Sequence, residues 1–599
     1  MDGLTLLDST RVTGTGQRAG SGPLTLGQNN VAQWVGDKEH DFFAIIDLVL
    51  HLPGAVSLAN ILDGLAGLVG RHESLRTRFV LEPESRQHVM RSGELPVDVY
   101  EVDPATYPEL RQFSPDRDTR PAISPETRVE SALIARLRET SFNLIDGALA
   151  QAAVAVSGGT PVAAAMVCSH MIVDLRAAIV LNRDFARFAA APADATLALP
   201  VHQPLDQAEM EQQPRRRRQA EAALRYWEDA IRWLPQSVYA VPAGAPDGSP
   251  ASGWLYSAPI SRVLPSIEAR TGAPSAAVIT AALAAVVAWR TRVPRFAFRL
   301  IAHNRIGAHL HEYVGTIAQD CLVVVDTEVP SFDDLARACA TATIRACRIG
   351  ACDTQRLIAV CKAIEHDRGI FSHRDAVFNH LGRHSLPASL DTADGAVAEL
   401  RRIMTAPRGE IRWWQPPVHQ DILTEFRAIE FDGLTALGQW GWDPRRVPRT
   451  EIEQLLRGAE RLLLAAGQSD VPLAELTEVT GLAPVVRDPV EWVQLDSCWV
   501  ELAEVQRLLD DALAPGVARV YVPRDGDPNL VAYLSATDRI STPQQAHAAC
   551  FDGLAGRYTA MTPRWYIVCE RAPNDPSDIA AWQRQPVLAE GGGRRLAAP

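Results

Sequence analysis

Lysine is nearly absent from this chain. It stands only at positions 38 and 362, and arginine carries the rest of the positive charge. The bias fits a GC-rich bacterial coding sequence and says nothing about chemistry. Its consequence is local: no residue after position 362 can supply an ammonium group to a carboxylate or phosphate. The nine cysteines contain no Cys-x-x-Cys pair, which argues against a disulfide framework or a zinc site, so no metal is expected. No apolar run reaches the roughly 18 residues that a membrane span needs. The N-terminus lacks the basic start and apolar core of a secretory leader, so a cytoplasmic protein without a membrane role is expected. A formal net charge of −13 without a basic stripe excludes a general nucleic-acid binder. The one basic run, Arg215 to Arg218, follows Pro214 and reads first as a solvated helix start, with a docking patch for an acidic partner as the sharper alternative. Thr13-Gly14-Thr15-Gly16 has neither a preceding strand nor a following Gly-Lys-Ser/Thr, so it is not a phosphate loop. Residues 1–22 are expected to form a flexible tail.

The chain has 599 residues, 47% of them apolar, which is more than one hydrophobic core serves and suggests about three or four folding units. Phe42 to Leu50 reads as a strand. Ser57 then caps a helix whose apolar positions, Leu58, Ile61, Leu62, Leu65, Leu68 and Val69, recur with helical spacing. Pro- and Ala-rich sequence near 187–214 reads as a linker. Beyond it come helices over Ala222–Leu234, Ser275–Trp289 and Phe332–Cys347, and strands over Phe296–Ala302 and Cys321–Asp326. Asp432-Gly433, between two β-rich runs, is a hairpin signal. Strands and helices do not alternate strictly, so mixed sheets are expected in two α/β halves, 23–200 and 201–475, with a ligand cleft between them. A small α/β module follows over 485–590. The two lobes and the module can bury their own apolar faces, so a monomer is expected.

The most informative stretch is Cys168-Ser169-His170-Met171-Ile172-Val173-Asp174-Leu175. An apolar strand, Val162 to Val167, leads into a histidine, a tight loop and an amphipathic helix. A histidine held at such a strand end titrates near neutral pH and can take a proton from a nucleophile. Taken alone, a buried histidine is more often a satisfied core residue.

Five stretches in order resemble the condensation domain of nonribosomal peptide synthetases: Leu24 to Gln28, Arg71 to Phe79, Ser169 to Leu175, Val314 to Asp320 and Arg374 to Gly382. The likeness spans roughly residues 23 to 470. It implies two chloramphenicol-acetyltransferase-like lobes set in a V, with the histidine loop at their junction. It implies transfer of an acyl group from a carrier-protein phosphopantetheine thioester to an amine or hydroxyl, with the carrier acting in trans and no intrinsic cofactor. A coenzyme A-dependent acyltransferase shares the fold and fits the second motif less well. By resemblance, His170 is the functional histidine, Asp174 a structural support, and Arg71 or Arg76 the salt-bridge partner of Asp174; helix-end solubility is the plainer reading of both arginines. Two positions depart from the family pattern. Ser169 replaces its first histidine, where a hydroxyl can still support the loop. Leu175 replaces its glycine, which puts a side chain at the substrate channel and raises a second reading, a silent platform that recruits carrier proteins or tailoring enzymes.

Val493 to Val505 and Met561 to Glu570 resemble the hinge and body of the C-terminal subdomain of adenylation domains. Ile579 occupies the register of the family's catalytic lysine, so the module is not expected to activate amino acids.

Overall fold

The computed structural model describes residues 3–35, 44–103, 105–107, 129–139, 142–191, 202–244, 249–372, 375–384, 402–415, 423–523 and 529–594. Phe42 and Phe43 of the first expected strand, part of the 187–214 linker, Arg374 of the fifth motif and Lys38 lie outside them.

In the first lobe, strands β1 (Leu4–Thr15), β2 (Gly20–Pro23), β3 (Ile45–Leu50), β4 (Thr77–Val80), β5 (Arg86–Val89), β6 (Ser92–Val102), β7 (Ala150–Ser157) and β8 (Thr160–Ser169) accompany helices α1 (Leu26–Val35), α2 (Leu58–Arg71), α3 (Val129–Leu137) and α4 (Leu175–Ala190). The main sheet runs β1-β6-β7-β8-β3, parallel only between β6 and β7. Strands β7 and β8 read as unbroken apolar runs because both of their faces are covered. Ala152, Val154, Ala164, Met166 and Cys168 face α2 and α4, while Ala153, Ala155, Ala163, Ala165 and Val167 face α3. Ser57 caps α2 by accepting from the Asn60 N–H.

Residues 3–22 of the expected tail are instead structural. Strand β1 pairs with β6 from Leu4↔Val102 to Thr15↔Ser92. The glycines that resembled a loop are packing devices. A Cβ on Gly14 would lie 2.4 Å from the Gly70 nitrogen of α2, and one on Gly16 would lie 2.0 Å from the Arg76 guanidinium. Only glycine lets the strand lie this close to the helix.

The second lobe holds α5 (Pro204–Glu211), α6 (Pro214–Ile231), β9 (Ala251–Ser257), α7 (Ala258–Thr271), α8 (Ser275–Thr291), β10 (Arg295–Ala302), β11 (Gln319–Asp326), α9 (Phe332–Ile349), α10 (Thr354–Arg368), β12 (Val377–His384), β13 (Glu410–Trp414), β14 (Thr424–Phe431), β15 (Leu434–Gly441) and α11 (Arg449–Ala466). Helix α4 persists to Ala190 and α5 starts at Pro204, so the linker is shorter than its composition suggests. The sheet order is β11-β10-β12-β14-β15-β9-β13, with β12 parallel to both neighbours. The sheet is mixed, as the lack of strict alternation predicts. Gly433, at φ 80°, makes the β14–β15 turn.

The C-terminal module starts with a hairpin, β16 (Trp492–Leu495) and β17 (Cys498–Glu501), turned at Asp496 and Ser497 with φ of 46° and 66°. Helix α12 (Leu502–Ala512) and a sheet of β18 (Ala518–Tyr521), β19 (Val531–Ser535), β20 (Trp565–Cys569) and β21 (Val587–Gly591) complete it, with α13 (Pro543–Asp552) packed against β20. Its core includes Ile370, contributed by the second lobe and fully buried. Among the described residues no single helix is long and apolar enough to cross a membrane.

Candidate functional site

Strand β8 ends at Ser169, and the turn into α4 is fixed from several sides. The Ser169 N–H donates to Leu149 O (2.8 Å), the His170 N–H to Ala44 O (2.7 Å), and the Ile172 N–H to Ser169 O (3.0 Å). The Ser169 hydroxyl accepts from the Met171 N–H at 3.3 Å, a loop-supporting bond made within the turn. From the second lobe, the Thr316 hydroxyl donates to the His170 carbonyl. Both backbone polar groups of His170 are therefore tied down, and they are tied to different elements. The imidazole is partly buried. Burial pushes its pKa below the ordinary value, against smaller upward pulls from its own backbone and from Asp174. It is therefore neutral at neutral pH and able to accept a proton.

Asp174 is the N-cap of α4. Its Oδ1 accepts from the Ala177 N–H at 2.9 Å. Its partner across the junction is Arg305, whose two terminal nitrogens reach the two carboxylate oxygens at 2.8 and 2.7 Å. The Ile317 N–H adds a third contact at 3.2 Å. Arg305 also donates to Gly315 O (3.2 Å) and lies over the Tyr313 ring. Asp174 and Arg305 are both buried, so this fork holds helix start and second-lobe segment in one geometry.

This corrects the expectation that Arg71 or Arg76 pairs with Asp174. Arg71 donates from Nε to Asp184 Oδ2 of α4 at 2.9 Å and reaches Glu312 at 3.4 Å. Asp184 also meets His72 (3.1 Å) and Arg183. Burial raises the Asp184 carboxyl, but its bonds to His72 and Arg183 more than offset this and leave it well below the usual range. Arg76 spends its guanidinium on backbone carbonyls, Val69 O at 2.9 Å and Met90 O, so it serves the fold of β1 and α2. The reason is position. Arg71 ends α2 opposite Asp184 in the second half of α4, and Arg76 lies five residues further on among the carbonyls of Val69 and Met90, while Asp174 sits at the start of α4. Arg305 carries no motif visible in the sequence, since it precedes the Val314–Asp320 stretch in an irregular segment.

Three of the motif stretches converge on the fourth, around residues 312–319. The Thr25 hydroxyl donates to Thr316 O (3.3 Å) and Gln319 donates to Leu26 O (2.8 Å). A Cβ on Gly27 would lie 2.4 Å from the Ile317 Cα, so the glycine permits that approach. The Ser74 hydroxyl donates to Val314 O at 2.8 Å. The described residues of the fifth stretch lie elsewhere. Asp375 is buried in the second lobe, hydrogen-bonded to Ser237 and accepting from the Tyr239 N–H, with its carboxyl pushed up to about 6 by burial.

Leu175 is the first residue of α4, in ordinary helical geometry, so this position needs no glycine for its backbone. Its side chain is 48% exposed, and Ile179 one turn later is 50% exposed. Nearby, His303 accepts from the Arg305 N–H, and partial desolvation lowers its pKa, with Arg176 and Arg305 adding to the effect. It is a second histidine in the neighbourhood of Asp174 that sequence reasoning passed over, because no pattern surrounds it.

No protein-family profile and no curated protein sequence matches the chain. Solved structures do. An X-domain from teicoplanin biosynthesis, solved in complex with OxyB, aligns at 16% identity and a TM-score of 0.56, covering 79% of this chain and 98% of that one. The condensation domain of the Monacolin K polyketide synthase MokA aligns at 14% identity and 0.54, covering 76% and 99%. A condensation domain described for chain release from the enacyloxin polyketide synthase aligns at 18% and 0.52, covering 79% and 86%. The chain carries the two-lobed condensation-domain fold.

Proposed function

We propose that this protein is an acyltransferase that moves an acyl group from a carrier-protein thioester to an amine, or a hydroxyl, to form an amide or ester. The observation that carries the reading is His170, a neutral imidazole held at the lobe junction through both of its backbone polar groups. The acceptor attacks as the neutral amine, because an ammonium has no lone pair. As its nitrogen bonds to the thioester carbonyl carbon, His170 accepts the proton that nitrogen sheds and returns it to the thiolate as the C–S bond breaks, so neutral amine and thioester become amide and free thiol with no net proton change. Asp174 and Arg305 position the turn without touching the reacting atoms. Leu175, at the rim of α4, narrows the substrate channel. The phosphopantetheine belongs to the carrier, supplied in trans, and the protein acts as a monomer.

The test is intact-protein mass spectrometry of acyl-loaded carriers mixed with candidate amines and either the natural protein or His170→Ala. Transfer lost in the variant is the expected result. Equal transfer in both sinks a proton-transfer role for His170. The resemblance to an X-domain solved with OxyB favours a second reading, a platform that recruits a tailoring enzyme. Stable binding of such an enzyme, with no transfer for any carrier and amine, would establish it.

A further inference from the structure

The longest basic run in this acidic chain lies where helix physics opposes it. Arg215 to Arg218 occupy the first turns of α6, where the macrodipole is positive. The first turn holds no acidic residue, and Gln213 makes no side-chain cap. Arg215, Arg217 and Arg218 are exposed, and Arg215 and Arg218 meet no carboxylate of a described residue at ion-pair distance. More positive charge gathers beside them. Gln219 of α6 donates to Arg348 O at the end of α9, bringing Arg348 alongside, and exposed Arg345 lies over Tyr226 of α6 at 5.5 Å. Two acidic groups beside this face are already engaged: Glu221 with Arg356, and Asp353 as the cap of α10. A solvated helix start needs none of this accumulation. The chain as a whole carries a net charge of −13, so an acidic partner is repelled by it in general and steered toward a face where positive charge accumulates.

The same face adjoins the site. A cavity of about 80 Å³ is lined by Arg216 and Gln219 of α6, Leu26 and Gly27 of α1, and Asn304 and Ile317. Ile317 donates to Asp174, and its neighbour Thr316 holds the His170 carbonyl. A charged landing surface therefore borders the segment that fixes the candidate catalytic turn.

We propose that the start of α6, the end of α9 and the start of α10 form the docking surface for an acidic carrier protein, with the arginine run receiving the phosphodiester of its arm. This rests on the acyl-transfer reading above, which supplies the phosphate; arginine forks suit that group.

The experiment compares the natural protein with the triple variant Arg215→Glu, Arg217→Glu, Arg218→Glu, leaving Arg216 in place. Binding of phosphopantetheinylated carrier is read by fluorescence anisotropy across a salt series. Transfer is read separately with loaded carrier and with a pantetheine thioester that has no protein to dock. The variant is expected to bind carrier at least about tenfold more weakly near physiological salt, with a flattened salt dependence. Its KM for loaded carrier rises by the same factor, while turnover of the pantetheine thioester is unchanged. Its melting temperature stays level or rises, since glutamates suit a helix start. Unchanged carrier affinity overturns the proposal. So does binding of a short DNA duplex, lost in the variant, with no carrier binding at all. Charge-dependent carrier binding without any transfer by the natural protein keeps the docking surface and removes the acyl-transfer reading instead.

Discussion

Two junctions hold this molecule together, and they differ in kind. Between the lobes, many contacts gather on residues 312–319 and around the buried ion pair Asp174–Arg305, with Arg71 and Arg183 both reaching Glu312 beside it. Between the second lobe and the C-terminal module, arginines are spread along a seam. Arg368 donates to Ile231 O and Leu234 O, both at 2.6 Å, and to Asp496 Oδ2 at 2.7 Å. Arg446 donates to Val241 O and Thr559. Arg487 donates to Thr291 O at 2.8 Å and sits between the Trp492 and Trp499 rings. Arg594 closes the seam on Arg368 O at 2.8 Å. The first junction places a catalytic candidate. The second fastens a module whose sequence resembles a hinge, and it does so at the hinge itself, because Asp496 is the residue Arg368 grips. A segment tied by buried arginines to backbone carbonyls is not free to rotate, and Ile370 packed inside the module's core makes the two one folding unit.

The sharpest way to break the comparison is His170→Ala. Transfer should fall by about 10²–10⁴-fold, the usual span for a positioned acid–base group, while melting stays near that of the natural protein. A steady-state assay beside a thermal scan checks both. Arg305→Met tests the lobe junction as a structural element. It leaves Asp174 buried without its cation, so a loss of about 3–5 kcal/mol is expected, along with reduced transfer, readable by denaturant unfolding. Arg368→Met tests the seam. It orphans two buried carbonyls and loosens Asp496, for about 2–4 kcal/mol, and limited proteolysis should then release the module while a pantetheine-thioester assay still shows turnover.

The two regions should also respond to pH with opposite sign. Burial lowers His547, at the seam, to about 4, with Arg594 and His366 adding to it. Between that value and the ordinary histidine range the unfolded chain binds the extra proton, so stability at the seam is lost as pH falls through this window. Burial raises Glu211, beside the lobe junction, to about 7. There the folded chain binds the extra proton, so stability is lost as pH rises from the ordinary glutamate range to about 7. His547→Gln should flatten the acid limb of a stability–pH curve and Glu211→Gln the limb toward neutrality. A single curve unaltered by both substitutions would remove the contrast. The smallest expected effect is Leu175→Gly, about 0.5–1 kcal/mol at an exposed helix start. A large gain in turnover with bulkier acceptors would sharpen its assignment to the channel.

Much of this was legible in the order of residues. The apolar run Val162–Val167 with His170 and the amphipathic segment behind it specified strand, turn and helix, because burial on both faces and helical periodicity are local demands; that Asp174 caps the helix came from the structure. Ser57 and the Asp432-Gly433 turn were equally plain. Strand β1 was not, since Thr-Gly repeats carry a loop's composition and acquire strand geometry only from pairing with β6 and from the backbone of α2 behind them. Arg305 was not either. An arginine in an irregular segment looks like any surface cation until a partner distant in sequence claims it.

Sequence alone determined many of the helices and strands, the histidine turn and the missing lysine chemistry of the C-terminal module, all of which follow from residue type and short spacing. Tertiary structure decided which arginine meets Asp174, that residues 4–15 are a strand, that the hinge is gripped by Arg368, and that the arginine run borders the cavity beside Ile317. These are pairings between residues far apart in the chain. A charge or a donor carries no address in the sequence, and only burial beside a particular partner gives it one.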